Sequence, residues 1–307
     1  MSPRPTTSSA SLPLQDMLIA LAVVAVWGTN FVVIKIALGV LPPLFLATLR
    51  FTFALFPAVL FIKRPRVPWK DLAAYGLLIG AGQFALLYVA MNGHISPGLA
   101  SLVIQIQVVF TIGLSMRSSG ERVRPFQWIA LMLAGAGIAV IAVRGGGAAT
   151  PVGLTLVVAA AMSWAGGNLV ARRSPKANML AYVVWASMFS VPPLLALSFV
   201  LEGSQAIADG LRHAGAATWA AVLWQSAGNT MFGYALWGWL LARHPAATIT
   251  PMALLVPVFG IGASAWWLGE PLPSWKLAAT ALVLGGLALN LFWSGLRGRL
   301  IPLPAPD

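Results

Sequence analysis

The sequence predicts an all-α integral membrane protein of ten transmembrane helices, built as two five-helix inverted repeats with both termini cytoplasmic. Three observations predict it. First, 8% of the 307 residues are charged and 59% are hydrophobic, with a mean hydropathy of +0.85; soluble domains average roughly 25% charged. Second, motifs recur at fixed offsets. Ala81-Gly82-Gln83 and Tyr88 return as Ala227-Gly228-Asn229 and Tyr234, 146 residues later, and Phe110, Gly113, Gly120-Glu121 and Gly137 return as Phe259, Gly262, Gly269-Glu270 and Gly286, 149 residues later. Third, with the N-terminus inside, 14 Lys and Arg fall in inner segments and 3 in outer ones, as the positive-inside rule requires. Five apolar segments per half is an odd number, so the second copy enters the membrane from the opposite face. That is the plan of transporters whose substrate site lies near the midplane, between the halves.

The elements follow in order. Residues 1–14 are a Ser/Thr/Pro-rich tail, read as disordered and cytoplasmic and not as a cleaved signal. The first repeat (15–143) holds spans 15–37, 44–62, 71–91, 97–116 and 125–143, each near the ~20 residues a membrane helix needs. A glycine-rich outer linker, 144–151, is expected to be flexible. The second repeat (152–295) holds spans 152–171, 178–200, 216–240, 246–268 and 275–295, and 296–307 is a cytoplasmic tail. The longest loop, Glu202 to Gly215, carries charges expected only to solvate it. Spans 5 and 10 are the least polar and carry small-residue runs (Ala134-Gly135-Ala136-Gly137 and Gly285-Gly286), which suit close helix packing. They read as supports away from any substrate path, with a dimer contact as a further expectation; the chain is expected to be a monomer or a weak homodimer.

Mid-span prolines mark hinge or gate candidates. Pro57 in span 2 answers Pro192 in span 7, and Pro251 and Pro257 give span 9 breaks that the body of span 4 lacks. Trp27-x-x-Asn30 in span 1 answers Trp164-x-x-x-Asn168 in span 6, which makes Trp27 a further gate candidate.

The chemistry is bounded by absences. All seven carboxylates and all three histidines lie in tails, loops or span ends, so no catalytic cluster, metal site or mid-membrane proton relay is expected. No cofactor is expected, and the basic charge reads as membrane orientation, not nucleic-acid binding. The neutral polar groups inside spans are Asn30, Gln83, Gln105, Gln107, Asn168, Gln225 and Asn229. An amide in hydrocarbon costs about 4–8 kcal/mol without a partner, so these face other helices or a wet cavity. The first reading makes them interhelical glue; the second makes Asn30, Gln83, Gln105, Asn168, Gln225 and Asn229, with Tyr88 and Trp164, lining for a substrate. Lys35 sits near the outer interface and reads as snorkelling. Arg50 lies about 9 Å into span 2, where it pairs with backbone carbonyls or attracts a substrate carboxylate. Its repeat equivalent, with Pro57 aligned on Pro192, is Trp185.

Trp27-Gly28-x-Asn30-Phe31, Leu49-Arg50-Phe51 and Gly269-Glu270-Pro271, in this order and with ten spans, resemble the drug/metabolite transporter superfamily, EamA-type branch. Within it the chain looks most like the bacterial YddG-type amino-acid exporters. The resemblance implies a bacterial inner-membrane exporter of amino acids, or of another small metabolite or drug, with a cavity bounded by spans 1–4 and 6–9. The missing titratable cluster opposes a membrane-embedded enzyme, and a non-transporting scaffold or receptor stays as the remote alternative. The first-half Gly120-Glu121 lacks the proline that follows Glu270.

Overall fold

The computed structural model describes residues 12–119, 125–174, 176–244 and 246–300. Gly120-Glu121 and the basic residues Arg122 and Arg124 lie outside the described residues, as do most of the N-terminal tail and residues 301–307. The described chain is all helix; its one β-type pairing is an isolated bridge between Ile95 and Ala149.

Among the described residues, eight helices are long and apolar enough to cross a membrane. They are α1 (Leu14–Leu38), α2 (Pro43–Phe61), α3 (Trp69–Met91), α4 (Pro97–Leu114), α5 (Pro125–Arg144), α6 (Pro151–Ala171), α7 (Met179–Leu197, continuing through a π turn to Glu202) and α10 (Pro251–Leu268, after a short turn at Ala246–Ile249). Between them lie α8 (Gly203–His213) and α9 (residues 216–243), and α11 (Ser274–Leu300) closes the chain. The helical run of α9 is as long as its neighbours, but Gln225, Ser226, Asn229 and Thr230 make its centre polar. Proline opens α2, α4 and α6 at the first turn, where its missing N–H costs nothing. The side chains of Thr150 and Asn178 cap α6 and α7 by accepting from Gly153 N and Ala181 N, both at 3.0 Å.

Several expectations change. The 202–215 loop is mostly helix: α8 buries Ile207 and Gly210 against the turn after α1 and exposes its charged side. Its charges are also engaged, since Glu202 accepts from Leu44 N (2.6 Å), Phe45 N (3.0 Å) and Ser198 Oγ (2.9 Å), satisfying free amides at the start of α2. The 144–151 linker is pinned, not free, because Ser96 N donates to Ala148 O and Thr150 N to His94 O, each at 2.8 Å. Lys276, one of the 3 cations counted as outer, is 1% exposed and paired with Glu270 at 2.7 Å. The carboxylate also accepts from Ser96 Oγ and from Gly98 N at the start of α4. Finally, α11 runs on to Leu300 where a tail was expected from 296.

The prolines behave unequally. Pro57 interrupts α2, which stops at Leu55 and resumes at Ala58. Pro192 and Pro193 sit inside an unbroken helix, so Pro192 is not the matching break. In α10 the two expected breaks are one, a 3₁₀ stretch Thr250–Leu255 with Pro251 at its start and Pro257 just beyond. Span 4 was expected to be regular, yet α4 also tightens to a 3₁₀ turn at Ile104–Ile106. This turn lies 149 residues before residues 253–255, the second half of the 3₁₀ stretch at α10, as a repeat partner would.

Packing sets close helix contacts. A Cβ added at Gly76 of α3 would stand 2.2 Å from Ala186 O of α7, and one at Gly80 2.1 Å from Ser190 Oγ. Only glycine lets these two helices meet. The α5 and α11 pair packs through Gly137 against Val283 and Gly286 against Ala130, and it is the most extensive helix–helix contact in the described structure.

Candidate functional site

Two helices that carry the centre of the molecule depart from α geometry at equivalent places. The nine residues Gly76–Phe84 of α3 are π-helical, and so are Trp224–Phe232 of α9. A π turn holds an extra residue and rotates the following side chains relative to an α-helix, and such turns cluster at functional sites. In α9 the widened turn lets Thr230 Oγ1 bond Gln225 O at 2.9 Å, five residues back. It thereby turns Gln225, Asn229 and Thr230 toward α2.

What they meet is Arg50. This side chain is 1% exposed. Its Nη1 donates to Tyr88 Oη of α3 at 2.9 Å, and its Nη2 donates to Asn229 Oδ1 at 2.7 Å and Thr230 Oγ1 at 3.0 Å. Tyr88 Oη in turn donates to Gln225 Oε1. The guanidinium stacks over Phe84, 3.9 Å from the ring centroid, a favourable cation–π geometry. Ser226 Oγ donates to Arg50 O, and Trp27 Nε1 of α1 to Asn229 O, so backbone and side chain are both fixed. Arg50 therefore pairs with neutral side chains, where a backbone-carbonyl pairing was one expectation.

The set is one acceptor short of complete. Arg50 Nε is buried with no partner, and no carboxylate lies within ion-pair distance of Arg50 among the described residues. A buried cation without a counter-charge is costly, and in membrane proteins such residues mark substrate or ion paths. Beside it runs a narrow cleft lined by Arg50 and Thr230, by the rings of Tyr75, Phe84 and Tyr234, and by the small residues Gly76, Gly80 and Ser187. Electrostatically this is a single positive charge at the edge of an aromatic, otherwise neutral space. It suits an anionic oxygen pair joined to an apolar body.

The sequence candidates divide. Arg50, Tyr88, Gln225, Asn229 and Trp27 come together here. Gln83 is buried on the π turn of α3 with Oε1 unpartnered, and Asn30 Oδ1 is in the same condition on α1; neither hydrogen-bonds the Arg50 group. Asn168 goes elsewhere, donating to Gln107 Oε1 at 3.0 Å between α6 and α4. Gln105 is buried in the 3₁₀ turn of α4, and Trp164 is half-buried against the core. Trp185, the repeat equivalent of Arg50, donates to Ile62 O at 2.9 Å and packs by Trp69. The sequence reading missed Thr230, Phe84, Tyr75 and Tyr234. Tyr234 was visible as the repeat partner of Tyr88; Thr230 and Phe84 each adjoin a chosen amide, Asn229 and Gln83.

The EamA-like transporter family matches this sequence twice, over residues 15–143 and 151–292. Two curated relatives bear the name "Probable amino-acid metabolite efflux pump". The one from Salmonella typhimurium is 40% identical over 93% of this chain and 97% of its own length; the one from Escherichia coli K12 is 38% identical over the same shares. A "Probable terminal-alkyne amino-acid exporter" from Streptantibioticus cattleyicolor is 30% identical over 87% of this chain and 90% of its own. A solved crystal structure, 20% identical, superposes with a TM-score of 0.61 over 93% of this chain and 98% of that one, which shows a shared fold.

Proposed function

The chain belongs to the EamA-like transporter family, and from that premise we propose that it exports amino acids across the bacterial inner membrane, with Arg50 holding the substrate carboxylate. One observation carries this reading. A buried guanidinium is held by Tyr88, Asn229 and Thr230, has no acidic partner among the described residues and keeps an unfilled donor beside a cleft. A zwitterion supplies the missing anion, while the aromatic rings accommodate an apolar side chain. The relatives named as amino-acid efflux pumps and exporters support the same substrate class.

The transport path runs between two inverted repeats of five spans, 15–143 and 152–295, with both termini cytoplasmic. The double family match supports this division, as do the paired π stretches in α3 and α9 and the paired 3₁₀ stretches in α4 and α10. Here α9 and α11 are spans 8 and 10. Polar side chains lower the apolarity of α9, and this fits a helix that faces the path. The Arg50 group joins α2 and α3 of the first repeat to α9 of the second, so carboxylate binding competes with contacts between the halves and couples occupancy to their rocking. Among the described residues no carboxylate pairs with Arg50, so transport is expected to follow the substrate gradient.

The test is counterflow of labelled amino acids in proteoliposomes against a panel of neutral, acidic and basic substrates. Exchange of neutral amino acids is expected, at the same end-point with and without a pH gradient. Absence of exchange for every amino acid, with exchange of a non-amino-acid metabolite, would replace the substrate class. Gradient-driven accumulation would remove the uncoupled mechanism.

A further inference from the structure

At the opposite corner from the Glu202 and Glu270 caps, two connections meet. Arg173 Nη1 reaches Asp71 Oδ1 at 3.2 Å, Tyr182 Oη reaches Asp71 O at 3.3 Å, and Trp185 Nε1 bonds Ile62 O at 2.9 Å. These bonds hold the start of α3 and the end of α2 against α6 and α7. The first connection carries Lys63, Arg64, Arg66 and Lys70, and the second Arg172, Arg173 and Lys176. The one carboxylate here with a printed ion pair, Asp71, is committed to Arg173. Lys63, Arg64, Arg66, Lys70 and Lys176 are exposed and make no ion pair among the described residues.

Two cations elsewhere have carboxylate partners. Lys276 is buried on Glu270, and Arg212 is bonded to Asp209 at 3.0 Å. Along 63–70 the described structure leaves Lys63, Arg64, Arg66 and Lys70 close in sequence, exposed and without an ion pair. The platform is also rigid. Pro65 and Val67 are buried and anchor the loop between the exposed cations, and Arg64 stacks over Trp69 at 4.3 Å from its ring centroid. Directly beside it, Leu60, Phe61 and Trp69 expose large apolar surfaces, with Phe61 80% exposed. Charge and grease therefore adjoin at the end of two membrane helices, the combination presented by a phospholipid headgroup and its chains.

We propose that this corner is a binding site for an anionic phospholipid, with Lys63, Arg64, Arg66 and Lys70 on the phosphate and Leu60, Phe61 and Trp69 against the acyl chains. Clusters of four or more basic residues at a helix end recognise anionic headgroups in this way. The site is independent of the substrate reading and requires only that α2 and α3 cross the bilayer.

Delipidated protein in neutral detergent is titrated with cardiolipin, phosphatidylglycerol, phosphatidylcholine and inorganic phosphate. Bound lipid is counted by native mass spectrometry, and Trp fluorescence follows binding. Cardiolipin and phosphatidylglycerol are expected to bind on the order of tenfold more tightly than phosphatidylcholine, a preference that falls as salt rises. K63Q/R64Q/R66Q/K70Q is expected to lose the preference, while R64K/R66K and the distant R144Q/R212Q keep it. Equal binding of anionic and zwitterionic lipids to the wild-type protein overturns the proposal, even if the quadruple variant fails to fold. So does an unchanged preference in that variant, or occupancy by inorganic phosphate that displaces the lipid.

Discussion

The π stretches of α3 and α9 have the same backbone form and opposite side-chain outfits. Trp224–Phe232 directs Gln225, Asn229 and Thr230 into one hydrogen-bonded group around Arg50. Gly76–Phe84 offers the cleft two glycines and a ring, and leaves Gln83 Oε1 without a partner. The same inequality separates Arg50 from its repeat equivalent Trp185, a cation held at the centre against an indole bonded to Ile62 O. The scaffold carries the π geometry twice, while the hydrogen-bonded group around Arg50 is built once. The second copy's π turn then positions the first copy's charge.

That comparison can be broken at its strong side first. Arg50→Gln is expected to lower counterflow by about 30-fold or more, the effect of the ~2–5 kcal/mol that a buried charge pair carries. Folding should persist, because the variant removes a buried charge that has no counter-ion; a monodisperse protein with wild-type flux would refute the role. Next in size is Gly80→Val. Its Cβ would lie 2.1 Å from Ser190 Oγ, and overpacking of this kind costs roughly 1–3 kcal/mol, read as a fall in thermal midpoint and folded yield. Asn229→Ala is expected to raise KM about tenfold with a smaller change in maximal rate, through the ~1–3 kcal/mol left by an unsatisfied buried partner. Smallest is Gln83→Ala, the repeat counterpart of that change. It is expected to alter flux by less than about threefold, since no bond to Gln83 Oε1 is lost. Equal effects of Asn229→Ala and Gln83→Ala would restore the symmetry that the side chains deny.

Much of the scaffold is legible in the sequence for physical reasons. Apolar runs of bilayer length, first-turn prolines and the charge asymmetry delimit α1 to α7 to within two residues at most ends. α8 escaped because its helix is amphipathic and short, and Glu202, Asp209, Arg212 and His213 look like a solvated loop without knowledge of what Ile207 and Gly210 cover. The site was half legible. Arg50, Tyr88, Gln225 and Asn229 stand out as polar groups in apolar runs, but their convergence depends on π turns and on partners 38 to 179 residues away. The caps on α2 and α4 were hidden for the same reason: Glu202 is 158 residues from Leu44, and Glu270 is 172 from Gly98.

The most direct measurement is competition in proteoliposome counterflow between a transported amino acid and its carboxamide, which keeps the ammonium and side chain and removes the anion. With Arg50 as the carboxylate anchor, the free acid competes and the amide does not, by on the order of 30-fold or more in the inhibition constant, and the difference collapses in Arg50→Gln. Equal competition by acid and amide in the wild-type protein would contradict the account.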